Sequence, residues 1–184
     1  MNKFLSFGKY VIAALCFTLL TAGKSYAGWH DTTQADRNQR IVNQAQHDLG
    51  LVGGACKIWA YDVVRVASNL AGGPAVPVFL PATDNNSNGY AWLNDGTGYE
   101  VSSGALAPSS MVPGMIIQMR IHTASNTYAP HTTIVLSNSV GTQQLTFIES
   151  NYNGDYTVKI RTTTYAAFLA SIEPTSHYTV YTIH

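Results

Sequence analysis

The first amphipathic helical pattern of apolar and polar residues begins near Thr32. Apolar residues recur at helical spacing and Gly50 lies just beyond them, so we predict a helix from about Thr32 to Asp48. Asp31 or Thr32 is the predicted N-cap, and Gln34 stands three residues after Asp31, as in a capping box. The predicted buried face consists of Ala35, Ile41, Val42, Ala45 and Leu49.

A second apolar stripe follows two glycines, Gly53 and Gly54. Its residues are separated by 4, 3 and 4 positions, which predicts a buried helix that begins at Ala55 or Cys56 and ends near Leu70. Glycine permits backbone angles that other residues avoid, so the two glycines predict a tight loop immediately before the helix. The stripe consists of Trp59, Val63, Val66 and Leu70.

The periodicity of strands dominates the second half of the chain, after a long polar and turn-rich stretch over residues 74–113. A short helix at Tyr165–Ala170, capped by Thr163 or Thr164, interrupts the strands. Helices followed by antiparallel strands predict an α+β domain with N-terminal helices packed on an antiparallel sheet. The predicted strands are Met115–Ile121, His131–Ser137, Gln143–Glu149, Tyr156–Thr162 and Tyr178–Ile183.

The first 27 residues have the pattern of an export signal. Lys3 and Lys9 precede an apolar run, Tyr10 to Leu20, that is too short to span a bilayer, and a small-x-small sequence ends at Ala27. We expect cleavage after Ala27, which leaves residues 28–184 as a single domain in the periplasm or the extracellular space.

Charge narrows the range of partners. The chain has ten basic and ten acidic side chains, and the predicted signal contains three of the lysines and no acid, so the exported chain is acidic. No basic run remains, so we expect no nucleic-acid partner. No further apolar stretch is long enough to cross a membrane, so we expect no membrane partner after cleavage. The pattern leaves the oligomeric state open.

An Asn-rich segment in the long polar stretch is a weak calcium candidate. Asp84, Asn86 and Asn88 precede Gly89, and Asp95 stands at the twelfth position, so the order resembles an EF-hand loop that begins D-x-N-x-N-G. We favour an ordinary Asn-rich turn, with calcium binding by these four acidic and amide side chains as the alternative.

Cysteine content singles out one thiol. Cys16 lies in the predicted signal, which leaves Cys56 as the lone cysteine of an exported chain, unable to form an internal disulfide. A buried small apolar residue is one interpretation. The other interpretation is a reactive thiolate. Cys56 is predicted to lie in the first turn of a helix, where unpaired amides and the helix dipole favour the thiolate form. Cys56 is therefore a candidate nucleophile.

A candidate base and its partners lie on the predicted strands. His131 opens an apolar strand, where a rigid scaffold would present a titratable group near neutral pH. On the next strand Glu149 and Asn151 are two residues apart and therefore face the same side, together with Phe147. A carboxylate or amide there could bind the second ring nitrogen of His131, although solvated polar residues at a strand end are the alternative.

This combination resembles the CHAP amidase and peptidase group of the papain-like superfamily, which also includes the NlpC-type cell-wall peptidases. The resemblance spans about Ile41 to Ile183. The matching motifs are Gly54-Ala55-Cys56 with Trp59, Pro113-Gly114-Met115-Ile116-Ile117, His131-Thr132-Thr133-Ile134-Val135, and Glu149-Ser150-Asn151.

The resemblance implies a fold, a reaction and a set of site residues. Cys56 would be the nucleophile, His131 the base, Glu149 the residue that orients the histidine, and Asn151 a further polar support. The implied substrates are amide bonds of peptidoglycan peptides, hydrolysed without a cofactor. The sequence thus predicts an exported cysteine amidase or peptidase.

Two other interpretations stay open. The chain could be a catalytically inactive wall-binding module of the same fold, in which case the thiol would not react with iodoacetamide near neutral pH. It could also be a cysteine acyltransferase or a toxin that acts on another amide substrate. Product analysis on cell walls and on protein amides distinguishes these classes.

Overall fold

The computed structural model describes residues 28–69, 101–104, 106–122, 126–174 and 178–184. These residues form three α-helices, one six-stranded sheet and two short 3₁₀ turns, Trp29–Asp31 and Pro108–Ser110. The helices are α1 (Gln34–His47), α2 (Cys56–Asn69) and α3 (Tyr165–Ser171). The strands are β1 (Val101–Gly104), β2 (Ile116–His122), β3 (Tyr128–Ser139), β4 (Gln144–Glu149), β5 (Lys159–Thr164) and β6 (Thr179–Ile183).

The sheet has the strand order β1-β6-β2-β3-β4-β5, and every neighbouring pair is antiparallel. Consecutive strands β2 to β5 form a meander, and β6 returns to lie between β1 and β2. The predicted α+β class is confirmed. The five predicted strands and the short helix α3 occur with boundaries shifted by up to three residues, and Thr164 caps α3.

Both faces of the sheet are covered, which explains why β2 is buried at nearly every position. Helices α1 and α2 pack on one face, and α3 packs on the other. Successive residues of a strand point to opposite faces, so Ile116 lies under the two N-terminal helices and Ile117 lies under α3. We call the face that is covered by α1 and α2 the helix face.

Helix α1 begins slightly later than the sequence predicts. The N-cap is Thr33 rather than Asp31 or Thr32, and Thr33 and Asp36 form the capping box. Asp31 is part of the preceding 3₁₀ turn, and the Thr32 hydroxyl donates to the Trp29 carbonyl. That turn also buries the Trp29 indole, so packing displaced the cap predicted from local signals.

Helix α2 begins at Cys56, as predicted. Its buried line differs slightly from the predicted stripe, because Val66 is only half buried. The buried residues of α2 that pack in the helix-face core are Trp59, Ala60, Val63, Val64 and Ala67.

Several predictions fall on parts of the chain outside the described residues. These are the signal segment 1–27, Leu70 at the predicted end of the second helix, and the calcium candidates Asp84, Asn86, Asn88 and Asp95. Within the described part of the chain, no helix combines the length and the apolar character needed to cross a bilayer.

Candidate active site

Cys56 is the first residue of α2 and is 6% exposed. The backbone turns into the helix at Gly54, whose φ of +73° is a conformation that favours glycine. The main-chain N–H of Lys57, in the first turn of the helix, donates a hydrogen bond to the Cys56 sulfur. The main-chain N–H of Thr132, on β3, also donates to it. The thiol therefore lies between the N-terminus of α2 and the sheet.

His131 bridges the thiol and a buried carboxylate. It is 3% exposed, and its side chain hydrogen-bonds the Cys56 thiol. Nε2 of the same ring donates to Glu149 Oε2 over 2.9 Å, which leaves Nδ1 for the sulfur. The structure thus brings Cys56, His131 and Glu149 into one hydrogen-bonded chain from α2 through β3 to β4.

The electrostatics of this chain favour a thiolate–imidazolium pair. Burial raises the pKa of Cys56, but the hydrogen bond with His131 and the imidazolium charge outweigh it, and the net pKa is lowered. Burial lowers the pKa of His131, yet hydrogen bonds with Cys56 and Glu149 raise it to about 9. Burial likewise opposes ionisation of Glu149, whose partners His131 and Arg161 bring its pKa down to about 2.

Arg161 is a site residue that the sequence analysis missed. From β5 its Nε donates to Glu149 Oε1 over 2.5 Å, and Nη2 donates to Glu149 Oε2 over 3.1 Å. The guanidinium also lies over two rings, 4.6 Å from the Tyr152 centroid and 4.9 Å from that of Phe147. The Tyr152 ring contacts His131 edge-on, with centroids 5.7 Å apart. A basic residue on the strand after Glu149 was the only sequence signal for this contact.

Asn151 is not part of the hydrogen-bonded chain. The strand ends at Glu149, and Asn151 adopts a left-handed conformation with φ 59°, so the two-residue alternation that aligned it with Glu149 does not extend to it. Its side-chain oxygen is buried and has no hydrogen-bond partner among the described residues. Phe147, by contrast, shares the face of Glu149 as predicted and is fully buried.

Ser150 ties the loop before the nucleophile to the hairpin after Glu149. Its buried hydroxyl lies 2.7 Å from the Gly54 carbonyl oxygen and 3.1 Å from that of Tyr156. The Gly53 N–H also donates to the Tyr156 carbonyl over 2.9 Å. A Cβ atom at Gly53 would lie 2.6 Å from Ser150 Oγ and 2.8 Å from Val158 Cγ2, so only glycine fits this close approach.

Gly53→Ala should therefore destabilise the fold and disturb the thiol. The new methyl group would push the loop away from Ser150, and overpacking of this kind costs about 1–3 kcal/mol. Thermal unfolding and the rate of Cys56 alkylation are the measurements. Gly141→Ala is the matched control, because a Cβ there meets nothing within 4 Å. Equal melting temperatures for the two variants would show that the close contact of Gly53 with Ser150 and Val158 does not limit the stability of the fold.

The lowered pKa of Glu149 predicts how the free energy of unfolding changes at acid pH. Its pKa is lowered from 4.5 to about 2, so its contribution to the free energy of unfolding is present above pH 4.5 and is lost as the pH falls through about 2. Towards alkaline pH the two shifts have opposite effects: the contribution of the raised pKa of His131 is present below pH 6.5 and is lost as the pH rises through about 9, whereas the contribution of the lowered pKa of Cys56 is fully present above the ordinary thiol pKa of 9.0. Urea denaturation at a series of pH values measures this profile.

The control for the acid profile is Glu149→Gln, which removes the titrating carboxyl. The loss of stability between pH 4.5 and about 2 should be smaller in this variant than in the wild type. Parallel acid profiles for the two proteins would show that Glu149 does not carry the effect.

No protein-family model matches the sequence, and no curated protein matches it. The structure is similar to the crystal structure of Ly7917 with the hydrolyzing product of MDP. The TM-score is 0.51 at 20% identity, over 78% of this chain and 62% of that one. The crystal structure of Ly7917 alone gives a TM-score of 0.48 at 22% identity, over 81% of this chain and 62% of that one.

The comparison with the first of these structures defines the fold alone. The chain shares its α+β architecture with Ly7917 and spans about three fifths of the length of that protein. The chemistry of the site therefore has to be argued from the residues of this chain.

Proposed function

We propose that the protein is a cysteine-dependent amidohydrolase of papain-like fold that cleaves an amide bond in the peptide part of peptidoglycan. The observation that carries the proposal is the hydrogen-bonded chain of Cys56, His131 and Glu149, with a thiol of lowered pKa at a helix N-terminus. A thiolate, a basic partner and a group that orients the partner are the components that nucleophilic catalysis requires.

The reaction begins when the Cys56 thiolate attacks the amide carbonyl carbon. The carbonyl π electrons move to oxygen, and a tetrahedral intermediate forms. Collapse of the intermediate breaks the C–N bond, and the His131 imidazolium gives its proton to the leaving amine. His131 then takes a proton from water, which attacks the thioester, and a carboxylic acid leaves. The thiolate and the imidazolium are thereby restored.

Main-chain amides near the sulfur supply stabilisation for the intermediate. The N–H of Lys57 points at the sulfur from the first turn of α2, where the helix dipole favours negative charge. When the sulfur attacks the carbonyl carbon, the negative charge develops on the carbonyl oxygen, which then lies close to such first-turn amides. Glu149 retains its negative charge through its contacts with Arg161, and this charge stabilises His131 in its protonated form.

The substrate class is inferred from the fold comparison and the site together. Ly7917 was crystallised with the hydrolyzing product of MDP, the muramyl dipeptide fragment of peptidoglycan. An amide bond of a muropeptide is a suitable target for a thiolate with an acid partner. We further propose that the protein acts outside the cytoplasm, because the predicted signal segment precedes the domain.

Mass spectrometry of digested peptidoglycan tests this function. Purified protein should convert intact sacculi or muramyl dipeptide into products that have gained one molecule of water, with a new amine and a new carboxyl group. The bond that is cut follows from the fragment masses. If the protein does not hydrolyse wall peptides but does modify protein amides, the acyltransferase or toxin interpretation is supported instead.

A further inference from the structure

Tyr152 contacts two members of the candidate site that lie on different strands. Its half-buried ring touches the His131 imidazole edge-on, with centroids 5.7 Å apart and ring planes at 67°. The Arg161 guanidinium lies over the same Tyr152 ring, 4.6 Å from its centroid. Tyr152 therefore lies beside both the base and the cation that binds Glu149, and the proposed mechanism gives it no role.

The local backbone explains how Tyr152 reaches this position. Strand β4 ends two residues before Asn151, which has φ 59°, a left-handed conformation that asparagine adopts more readily than most residues. Asn153 and Gly154 follow with φ 57° and 79°, and positive φ at both central residues is typical of a type I′ turn. Tyr152 and Asp155 close this turn through an antiparallel bridge. The backbone is thus defined on both sides of Tyr152, which packs against the core under α3.

The hydrogen bonds of His131 change during the proposed reaction. At rest the ring is bonded to both Cys56 and Glu149. When the imidazolium gives its proton to the leaving amine, the bond with the thiol is already broken, whereas the 2.9 Å bond from Nε2 to Glu149 persists. The χ2 torsion of histidine has only broad preferences, so one hydrogen bond leaves the ring free to rotate about it. A second ring in edge contact resists that rotation.

The contact with Arg161 acts on the same hydrogen bond through Glu149. The guanidinium carbon of Arg161 lies over the rings of Tyr152 and Phe147, 4.6 and 4.9 Å from their centroids. Cation–π attraction of this kind holds a guanidinium in place. Because the guanidinium donates to both carboxylate oxygens of Glu149, Tyr152 also limits how far that carboxylate can move from His131.

We propose that Tyr152 is a positioning residue, whose ring keeps the His131 imidazole aligned with Cys56 and Glu149 while the proton is transferred. The inference rests on the proposed function, and it gives Tyr152 a role through His131 rather than through the substrate. Tyr152 also borders a cavity of about 390 Å³ together with Glu149 and Arg161. Direct contact with bound peptide is therefore the alternative that the experiment has to separate.

Tyr152→Leu removes the ring, and Tyr152→Phe keeps the ring without the hydroxyl. In the leucine variant we expect kcat on the wall peptide to fall about 10–100-fold, because the base is misaligned, with KM within about twofold of the wild-type value. The phenylalanine variant should have the kcat and KM of the wild type. A raised KM with unchanged kcat in the leucine variant, or a loss of kcat in the phenylalanine variant, would overturn the proposal in favour of a substrate contact.

The pH dependence of Cys56 alkylation by iodoacetamide tests the same role without a peptide substrate. A misaligned imidazole stabilises the thiolate less, so the rise in rate should move to higher pH in Tyr152→Leu and stay in place in Tyr152→Phe. An unshifted profile in the leucine variant would overturn the proposal. If the wild type does not hydrolyse wall peptides, the proposed function fails, and this profile still shows whether the ring aligns His131 with the thiol.

Tyr156→Leu is the matched control, because it makes the same exchange in the same connection between β4 and β5, at a residue that is 55% exposed. We expect the kinetic constants and the alkylation profile of the wild type. An equal loss of kcat or an equal shift of the profile in Tyr156→Leu would overturn the role of the ring beside His131. Melting temperatures confirm that each variant is folded in the assay. If Tyr152→Leu does not fold, Tyr152→Met takes its place, since the flexible methionine side chain adapts to an irregular space.

Discussion

Replacing Cys56 with alanine should reduce hydrolysis of peptidoglycan peptides by at least about 10⁴-fold, because the variant lacks the group that forms the covalent intermediate in the proposed mechanism. The fold should persist, since Cys56 is one small side chain at the start of a helix held by a large apolar core. Mass spectrometry of muropeptides treated with wild type and variant measures the loss. Circular dichroism checks that the secondary structure is the same.

Cys56→Ser is the matched control for the alanine variant. A serine hydroxyl fills much of the same space and keeps a hydrogen-bonding group beside His131, but it does not ionise near neutral pH. Its activity should be nearly as low as that of the alanine variant, with stability nearer to that of the wild type. Undiminished turnover in either variant would eliminate Cys56 as the nucleophile and, with it, the proposed mechanism.

Replacing Glu149 with glutamine should lower kcat/KM by about 10³-fold or more. Glu149 is fully buried and supports the His131 imidazolium with its negative charge. Without that charge the pKa of His131 falls and the pKa of the Cys56 thiol rises, so the thiolate–imidazolium pair is populated less. The guanidinium of Arg161, which is partly exposed, also loses its carboxylate, so the free energy of unfolding should fall as well.

The pH dependence of Cys56 alkylation by iodoacetamide separates the electrostatic effect from general destabilisation. In the wild type the rate should already be substantial near neutrality, below the ordinary thiol pKa of 9.0. In Glu149→Gln the rise should move to higher pH. Lys159→Met is the control, since this exposed lysine, opposite Glu149 on the neighbouring strand β5, pairs with Asp155 rather than with Glu149. An unshifted profile in Glu149→Gln would contradict the role given to the carboxylate.

The sequence predicted the parts of the fold that depend on local pattern. The apolar stripe and the glycines before it placed the start of α2 at Cys56, and alternation located β2 to β4 within a few residues. It also identified three residues that the structure brings together: Cys56 begins α2 and Glu149 ends β4, as predicted, whereas His131 is the fourth residue of β3 rather than the first. Local rules are reliable there, since burial and backbone hydrogen bonding impose the periodicity.

The remaining features depend on tertiary packing, which periodicity does not specify. Arg161 reaches Glu149 only through the register of β4 and β5, where it pairs with Phe147. Asn151 departs from the strand through a left-handed backbone angle that no apolar pattern signals. The cap of α1 moved to Thr33 because a turn anchored by the buried Trp29 comes first.

The strand that carries His131 lies in the interior of the sheet, with β2 on one side and β4 on the other. The backbone of His131 therefore has no independent hinge, and displacing it requires separation of strands that also hold the two apolar layers. Heat inactivation should then coincide with cooperative melting of the whole domain, rather than precede it as in enzymes whose active sites sit on loosely held loops.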